Sequence, residues 1–157
     1  MLKVWRMHED IRLPVRMTGG SVGYDICVAE DYFLSPGDFS ILKTGLIVKP
    51  PEGFHIEIAL RSSIPKKKGC AIPNGLGIID ADYCGLGDEL GIPIYKFGLG
   101  TEDFPGVDGL PCTYFSAGER IAQIILRKTY IVDVIDMSSN LEDLKSGRGG
   151  FGSTGNI

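Results

Sequence analysis

Residues 50–65 read PPEGFHIEIALRSSIP, and this stretch decides the class of fold. Pro50 to Gly53 form a turn signal, with proline fixing φ and glycine free to take a positive one. Behind it Phe54, Ile56, Ile58 and Leu60 are interleaved with more polar residues, the period of two expected of a strand with one buried face. His55 falls on the polar face of that strand, which argues against a catalytic role for it. Similar runs recur along the chain as LKVWRM, YDICVA, GLIVK, LGIPIYKF, Leu76–Ile79 and the long RIAQIILRKTYIVDVI. Twenty-two glycines and nine prolines punctuate them, so the pattern is that of an all-β protein with tight turns. Only SSNLEDLKS reads as helical, for about two turns at most.

With 157 residues, 43% of them apolar, the chain suits one domain with a real core. Its formal net charge of −4 argues against a general nucleic-acid binder, whose affinity rests on neutralising phosphates. The one basic run, Lys66 to Lys68, reads as a solvated loop. Nothing approaches the ~18 consecutive apolar residues of a membrane span, and the N-terminus lacks an uninterrupted apolar stretch, so a cytoplasmic protein without membrane contact is expected. The four cysteines, Cys27, Cys70, Cys84 and Cys112, form no C-x-x-C pair and lack the spacing of zinc ligands. They are expected as reduced, mostly buried thiols.

Three stretches carry candidate chemistry. In ALRSSIP, Arg61, Ser62 and Ser63 offer a guanidinium fork and two hydroxyls suited to phosphate oxygens, the plainer alternative being a strand-to-loop turn. No local histidine could activate a serine, so binding is expected rather than covalent catalysis. In NGLGIIDADYCG, Asp80 and Asp82 would point to opposite faces if the segment stays extended, so both cannot serve one reacting atom. Gly75 and Gly77 suit a hairpin that presents main-chain groups to a flat ligand, with Tyr83 beside it; a polar hairpin with solvated carboxylates is the alternative. In GGSVGYDICV, Asp25 on an early strand suggests a role near a metal or cation, or else an ion pair with an arginine.

The chain closes with SGRGGFGSTGNI, Ser146 to Ile157, glycine-rich like a phosphate cradle but with no room for the helix that usually follows one. If it binds phosphate, it brings its groups to a site built elsewhere.

Taken in order, GYDI, RSS, NGLGIIDADYCG, GERIAQIIL and RGGFGSTG resemble the five motifs of the homotrimeric dUTP pyrophosphatases (dUTPases), over about Gly23 to Gly155. The resemblance implies a distorted jelly-roll-like β-barrel of residues 1–145 with one short helix, and a flexible arm, 146–157, that closes over a site shared between subunits. It implies hydrolysis of dUTP to dUMP and pyrophosphate, with Asp80 as general base and Tyr83 packed under the deoxyribose so that a 2′-hydroxyl is rejected. Asn74 and the backbone from Gly77 through Ile79 would read the uracil. Arg61, Ser62, Ser63 and Gln123 would bind or support phosphate. Arg148 would hold the γ-phosphate, Phe151 would stack on uracil, and Gly152, Ser153 and Thr154 would complete the phosphate contacts. Mg2+ would be chelated by the triphosphate, with Asp25 holding its water shell.

Two segments depart from the family pattern. Residues 84–90, with LGDE after Gly85, and residues 98–117 are longer than usual, and both are expected to be surface loops open to a protein partner. Among related activities, dCTP deaminase shares the fold and an RSS-like motif, with a catalytic glutamate near the place of Glu89. The intact DADY and the terminal arm favour the pyrophosphatase. A nucleotide-dependent regulatory protein is the alternative from another class.

Overall fold

The computed structural model of the chain describes residues 1–106 and 109–145. Arg148, Phe151, Gly152, Ser153 and Thr154 of the expected arm lie outside the described residues. In chain order the strands are β1 (Lys3–Arg6), β2 (Tyr24–Cys27), β3 (Tyr32–Leu34), β4 (Phe39–Lys43), β5 (Leu46–Lys49) and β6 (Phe54–Leu60). A helix α1 (Ile64–Lys68) follows, then β7 (Cys70–Ala71), β8 (Gly77–Ile79), β9 (Gly91–Lys96), β10 (Phe104–Pro105), β11 (Pro111–Phe115) and β12 (Arg120–Lys128). A 3-10 helix at Ser138–Asp143 occupies the segment expected to be helical.

The central sheet runs β2-β12-β6-β8 and is antiparallel throughout. In β6 the alternation seen in the sequence is realised, with Ile56 and Ile58 fully buried. On β12, Ile124 lies opposite Ile58. A register shift between Arg120 and Ala122 lets the consecutive residues Ile121 and Ala122 both be buried. A second sheet, β4-β9-β7, supplies Leu42, Ile92, Ile94 and Cys70 to the same apolar cluster. Smaller sheets β1-β5 and β10-β11-β3 complete an all-β, jelly-roll-like fold. Each fully buried isoleucine is worth about 1.5–3 kcal/mol relative to exposure, so the two principal sheets are held together chiefly by this shared face.

Four expectations are corrected. The run Lys66–Lys68 is no loop: it lies in α1, which carries Pro65 in its first turn and is capped by Gly69 in the left-handed region, and only Lys66 and Lys67 are solvated. Lys68 is buried, donates to the Tyr114 carbonyl at 2.6 Å and pairs with Glu102 and Glu119 at 3.2 and 3.4 Å. Residues 98–117 are likewise more than a surface loop, because β11 places Cys112, Thr113 and Phe115 in the interior. The loop before it is fastened by the fully buried Lys96, whose ammonium pairs with Asp103 at 2.9 Å and donates to the carbonyls of Lys68 and Gly98. The long C-terminal strand ends at Lys128 rather than continuing to Ile135. Finally, the chain turns after Ile79 instead of staying extended, with Tyr83 N–H bonded to the Asp80 carbonyl and Cys84 N–H to that of Asp82.

All four cysteines are free, and Cys27, Cys70 and Cys112 are buried. Burial pushes the Cys70 thiol up to about 11 and raises that of Cys27, so both stay protonated near neutral pH. Among the described residues no helix is long and apolar enough to cross a membrane.

Candidate functional site

The sequence-predicted residues gather in two places. The first is on the central sheet. Gln123 of β12 stands between Asp25 of β2 on one side and Ala59 of β6 on the other. Two positions beyond Ala59, Arg61 leaves the strand with its N–H on the Ile121 carbonyl at 2.9 Å. Its guanidinium Nη1 donates to the Arg120 carbonyl, and its Nε lies 3.2 Å from Asp25 Oδ2. Arg120 Nη1 approaches the same oxygen at 3.7 Å and also donates to Met17 Sδ. Two cations therefore converge on one largely buried carboxylate, with Ser62 exposed and Ser63 half-buried just beyond. The Ser63 hydroxyl makes no capping bond to α1 and is available to a ligand. The sheet is tight here: a Cβ on Gly23 would sit 2.2 Å from Gln123 Oε1 and 3.0 Å from its Cβ, so only glycine fits without moving Gln123.

The second place is the segment from Asn74 to Tyr83, whose strand β8 pairs with β6 instead of folding back as the expected hairpin. Gly75 N–H closes a turn on the Ile72 carbonyl, and β8 then pairs with β6 through Gly77–Ile58 and Ile79–Ile56. As the last strand of its sheet, β8 presents its outer main-chain groups to a neighbour other than a strand. Against it opens a cleft of about 370 Å³ lined by Asn74, Gly77, Ile78, Ile79, Asp80 and Tyr83 from this segment. Ile41, Ile58, Gly91, Pro93 and Glu89 form the rest of the lining. The combination is an apolar slot suited to a flat ring, with a carboxylate and a phenol at its rim. Asp80 is exposed and Tyr83 is 43% exposed. The cleft lining contains none of Asp25, Arg61, Ser62, Ser63 or Gln123. One chain thus carries an apolar slot with a carboxylate and a phenol at its rim and, apart from it, a cationic cluster.

Sequence reasoning missed Ile41, Pro93 and Arg120 as neighbours of these sites. Arg120 lay within the quoted GERIAQIIL, but no local signal marks its approach to Asp25. Ile41 belongs to β4, a strand the sequence did not reveal because both Phe39 and Ile41 are exposed. Asp25 realises the ion-pair alternative with Arg61. His55 bonds Thr129 Oγ1 at 2.9 Å and lies 3.8 Å from Glu57, an arrangement of the outer sheet face. Glu89 does not present a free carboxylate, since its Oε1 accepts the Gly45 N–H at 2.8 Å.

The residues present fit a divalent cation brought by its ligand. Among the described residues no group of three or more potential metal-ligating side chains occurs. Asp25 Oδ2 is nevertheless buried and makes no aligned hydrogen bond, being held only at ion-pair range. With its charge answered by two arginines, Asp25 is suited to face the water of a cation whose direct ligands are phosphate oxygens, not to bind the ion itself.

Comparison with known proteins bears on both features. The dUTPase family profile matches residues 9–155. The chain is 36% identical over 154 residues to the deoxyuridine 5'-triphosphate nucleotidohydrolase of Leptospira interrogans, covering 97% of each chain. It is 34% identical to the mouse (Mus musculus) protein of the same name, covering 98% of this chain and 85% of that one. Among solved structures, the dUTPase of Staphylococcus bacteriophage 80alpha with dUPNHPP superposes with a TM-score of 0.80 at 28% identity, over 99% of each chain.

Proposed function

The chain belongs to the dUTPase family, and we propose that within it Asp80 takes the proton of the water that attacks the α-phosphorus of dUTP. The chain is a dUTP diphosphatase and hydrolyses dUTP to dUMP and pyrophosphate. Attack forms a new P–O bond, the bond to the bridging oxygen of the β-phosphate breaks, and pyrophosphate leaves. The observation that carries the assignment is the cleft that Asp80 shares with Asn74, Gly77, Ile79 and Tyr83. The open edge of β8 reads the Watson–Crick edge of uracil through main-chain groups. Cytosine, with donor and acceptor exchanged, would leave those groups unpaired and is rejected. Tyr83 packs under the deoxyribose and leaves no room for a 2′-hydroxyl.

Arg61, Ser62, Ser63 and Gln123 bind and align phosphate oxygens, Arg61 being steadied from behind by Asp25. Asp25 would face the water shell of an Mg2+ ion brought by the triphosphate, and that ion would supply neutralisation of the phosphate charge. Residues 1–145 form the barrel and residues 146–157 the closing arm, in which Arg148 holds the γ-phosphate and Phe151 covers uracil. Gly152, Ser153 and Thr154 finish the phosphate contacts. The enzyme works as a cytoplasmic homotrimer, in which the cleft of one copy meets the cationic cluster of another. Two features support this: the two constellations are separate within one chain, and residues 129–137 carry no strand pairing yet expose Ile131, Val134 and Ile135 at 91, 97 and 74%.

The test is incubation with Mg2+ and, separately, dUTP, dCTP, UTP and dTTP, following pyrophosphate and ammonia. Pyrophosphate from dUTP alone is expected. Ammonia from dCTP would replace this reading with a deaminase.

A further inference from the structure

Between Tyr83 and β9 the chain makes a short excursion that closes on itself. Asp88 Oδ2 accepts the Gly85 N–H at 2.7 Å, Asp88 N–H returns to the Gly85 carbonyl, and Glu89 N–H bonds the Gly87 carbonyl. The excursion brings the main-chain carbonyl of Glu89 to the tip of Tyr83, whose Oη donates to it at 3.2 Å. The side chain of the same glutamate reaches the other way: Oε1 accepts the Gly45 N–H at 2.8 Å. Next to it, Leu90 N–H bonds the Leu46 carbonyl at 2.7 Å and the Leu90 carbonyl accepts Thr44 Oγ1 at 2.6 Å. Thr44, Leu46 and Leu90 are at most 1% exposed, so this junction is part of the core.

The anchor itself is fixed in direction. Gly45 has φ +67°, its own carbonyl accepts the Met7 N–H, and a Cβ there would lie 2.6 Å from Ile11 Cδ1. Any larger residue would have to displace Ile11 in a strained backbone. A carboxylate on a buried N–H is a charge-assisted bond, and its removal leaves that N–H without a partner.

We propose that Glu89 is a positioning residue for the sugar end of the cleft: anchored on Gly45, it fixes the carbonyl that holds Tyr83 and thereby the exclusion of a 2′-hydroxyl. The inference rests on the proposed role of Tyr83 and adds the element that keeps its ring in place. It also gives the departure at residues 84–90 a task within the site, since the excursion is what returns Glu89 to Tyr83. With the tether cut, a ring that is already 43% exposed can move away from the sugar, and UTP gains room.

The experiment compares kcat/KM for dUTP and UTP in the full-length enzyme and its Glu89→Ala, Glu89→Gln and Tyr83→Ala variants. Glu89→Ala is expected to lower the dUTP-to-UTP ratio by about tenfold or more, within the range that a reshaped contact supplies, through KM more than kcat. Glu89→Gln keeps an oxygen acceptor for the Gly45 N–H and should restore most of the ratio. A purely structural role would reduce active enzyme for both substrates alike, so an unchanged ratio in Glu89→Ala overturns the inference. Tyr83→Ala separates the two levels. A ratio untouched by Tyr83→Ala defeats the sugar-pocket reading itself, whereas a ratio that collapses there but survives in Glu89→Ala defeats only the role of Glu89. Should Glu89→Ala fail to fold, Tyr83→Phe removes the same bond from its other end, and full discrimination in that variant is equally fatal.

Discussion

Asp25 Oδ2 and Arg61 Nε lie 3.2 Å apart across β12 of the central sheet, so the Arg61 guanidinium is anchored by a carboxylate that is only 12% exposed. Asp25→Asn keeps the shape of that carboxylate but removes its charge, leaving Arg61 and Arg120 to repel each other. Misalignment of Arg61 should weaken nucleotide binding by about tenfold, equivalent to about 1.4 kcal/mol. Titration calorimetry with a non-hydrolysable dUTP analogue checks this. Unchanged affinity would mean that Arg61 is aligned without Asp25.

Asp80 occupies the rim of the cleft and is exposed. Asp80→Asn should therefore leave the fold and nucleotide affinity nearly intact while lowering turnover by about 10²-fold or more, as expected when a general base is lost. Single-turnover measurements at saturating Mg2+ distinguish this from a binding defect. Normal turnover in the variant would move the base elsewhere.

The buried Lys96–Asp103 pair ties the loop before β10 to the core. Burial works against ionising Asp103, but the Gly100 N–H and the Lys96 ammonium outweigh it and hold the carboxyl below its usual range. A depressed carboxylate stabilises the fold above the ordinary aspartate pKa of about 3.9, and that stabilisation is lost as pH falls through the lowered value. Asp103→Asn leaves Lys96 buried without its partner, at a cost of about 3–5 kcal/mol at neutral pH. Urea unfolding at pH 7 and pH 3 should show the wild type approaching the variant at the acid end. A constant gap between the two would contradict the pairing.

How far this molecule can be read from its letters depends on where the partners of each residue sit in the chain. Strands β6 and β12 were legible because their branched aliphatics alternate or cluster over seven and nine residues. Strands β3 and β4 were not, because Phe33, Phe39 and Ile41 are exposed and so blur the inward face. Lys68 was read as part of a solvated loop, and nothing local marks Lys96 as buried; their burial depends on Glu102, Glu119 and Asp103, which only the fold brings near. The grouping of Asn74 to Tyr83 at one cleft was legible since its residues are consecutive, but its pairing with β6 rather than with itself was not. The bond from Glu89 to Gly45, by contrast, joins positions 44 residues apart and leaves no local trace.

The segment after β12 yields the last prediction. From Tyr130 to Met137 every residue is exposed, and Ile131 and Val134 stand at 91 and 97%. A row of branched aliphatics kept in water by a single chain would be covered in the proposed trimer, at roughly 25 cal/mol for each Å² removed from solvent. Ile131→Asp or Val134→Asp would place an unpaired carboxylate in that contact while leaving the isolated barrel untouched, since neither side chain packs in its core. If each cleft takes the cationic cluster of a neighbour, as proposed, sedimentation velocity should then show trimer giving way to monomer at micromolar concentration, with dUTP hydrolysis falling as the trimer is lost. Activity that tracks trimer content across a dilution series supports shared sites. Full activity in a monomeric variant would instead show that one chain brings Asp80 and Arg61 to the same nucleotide unaided.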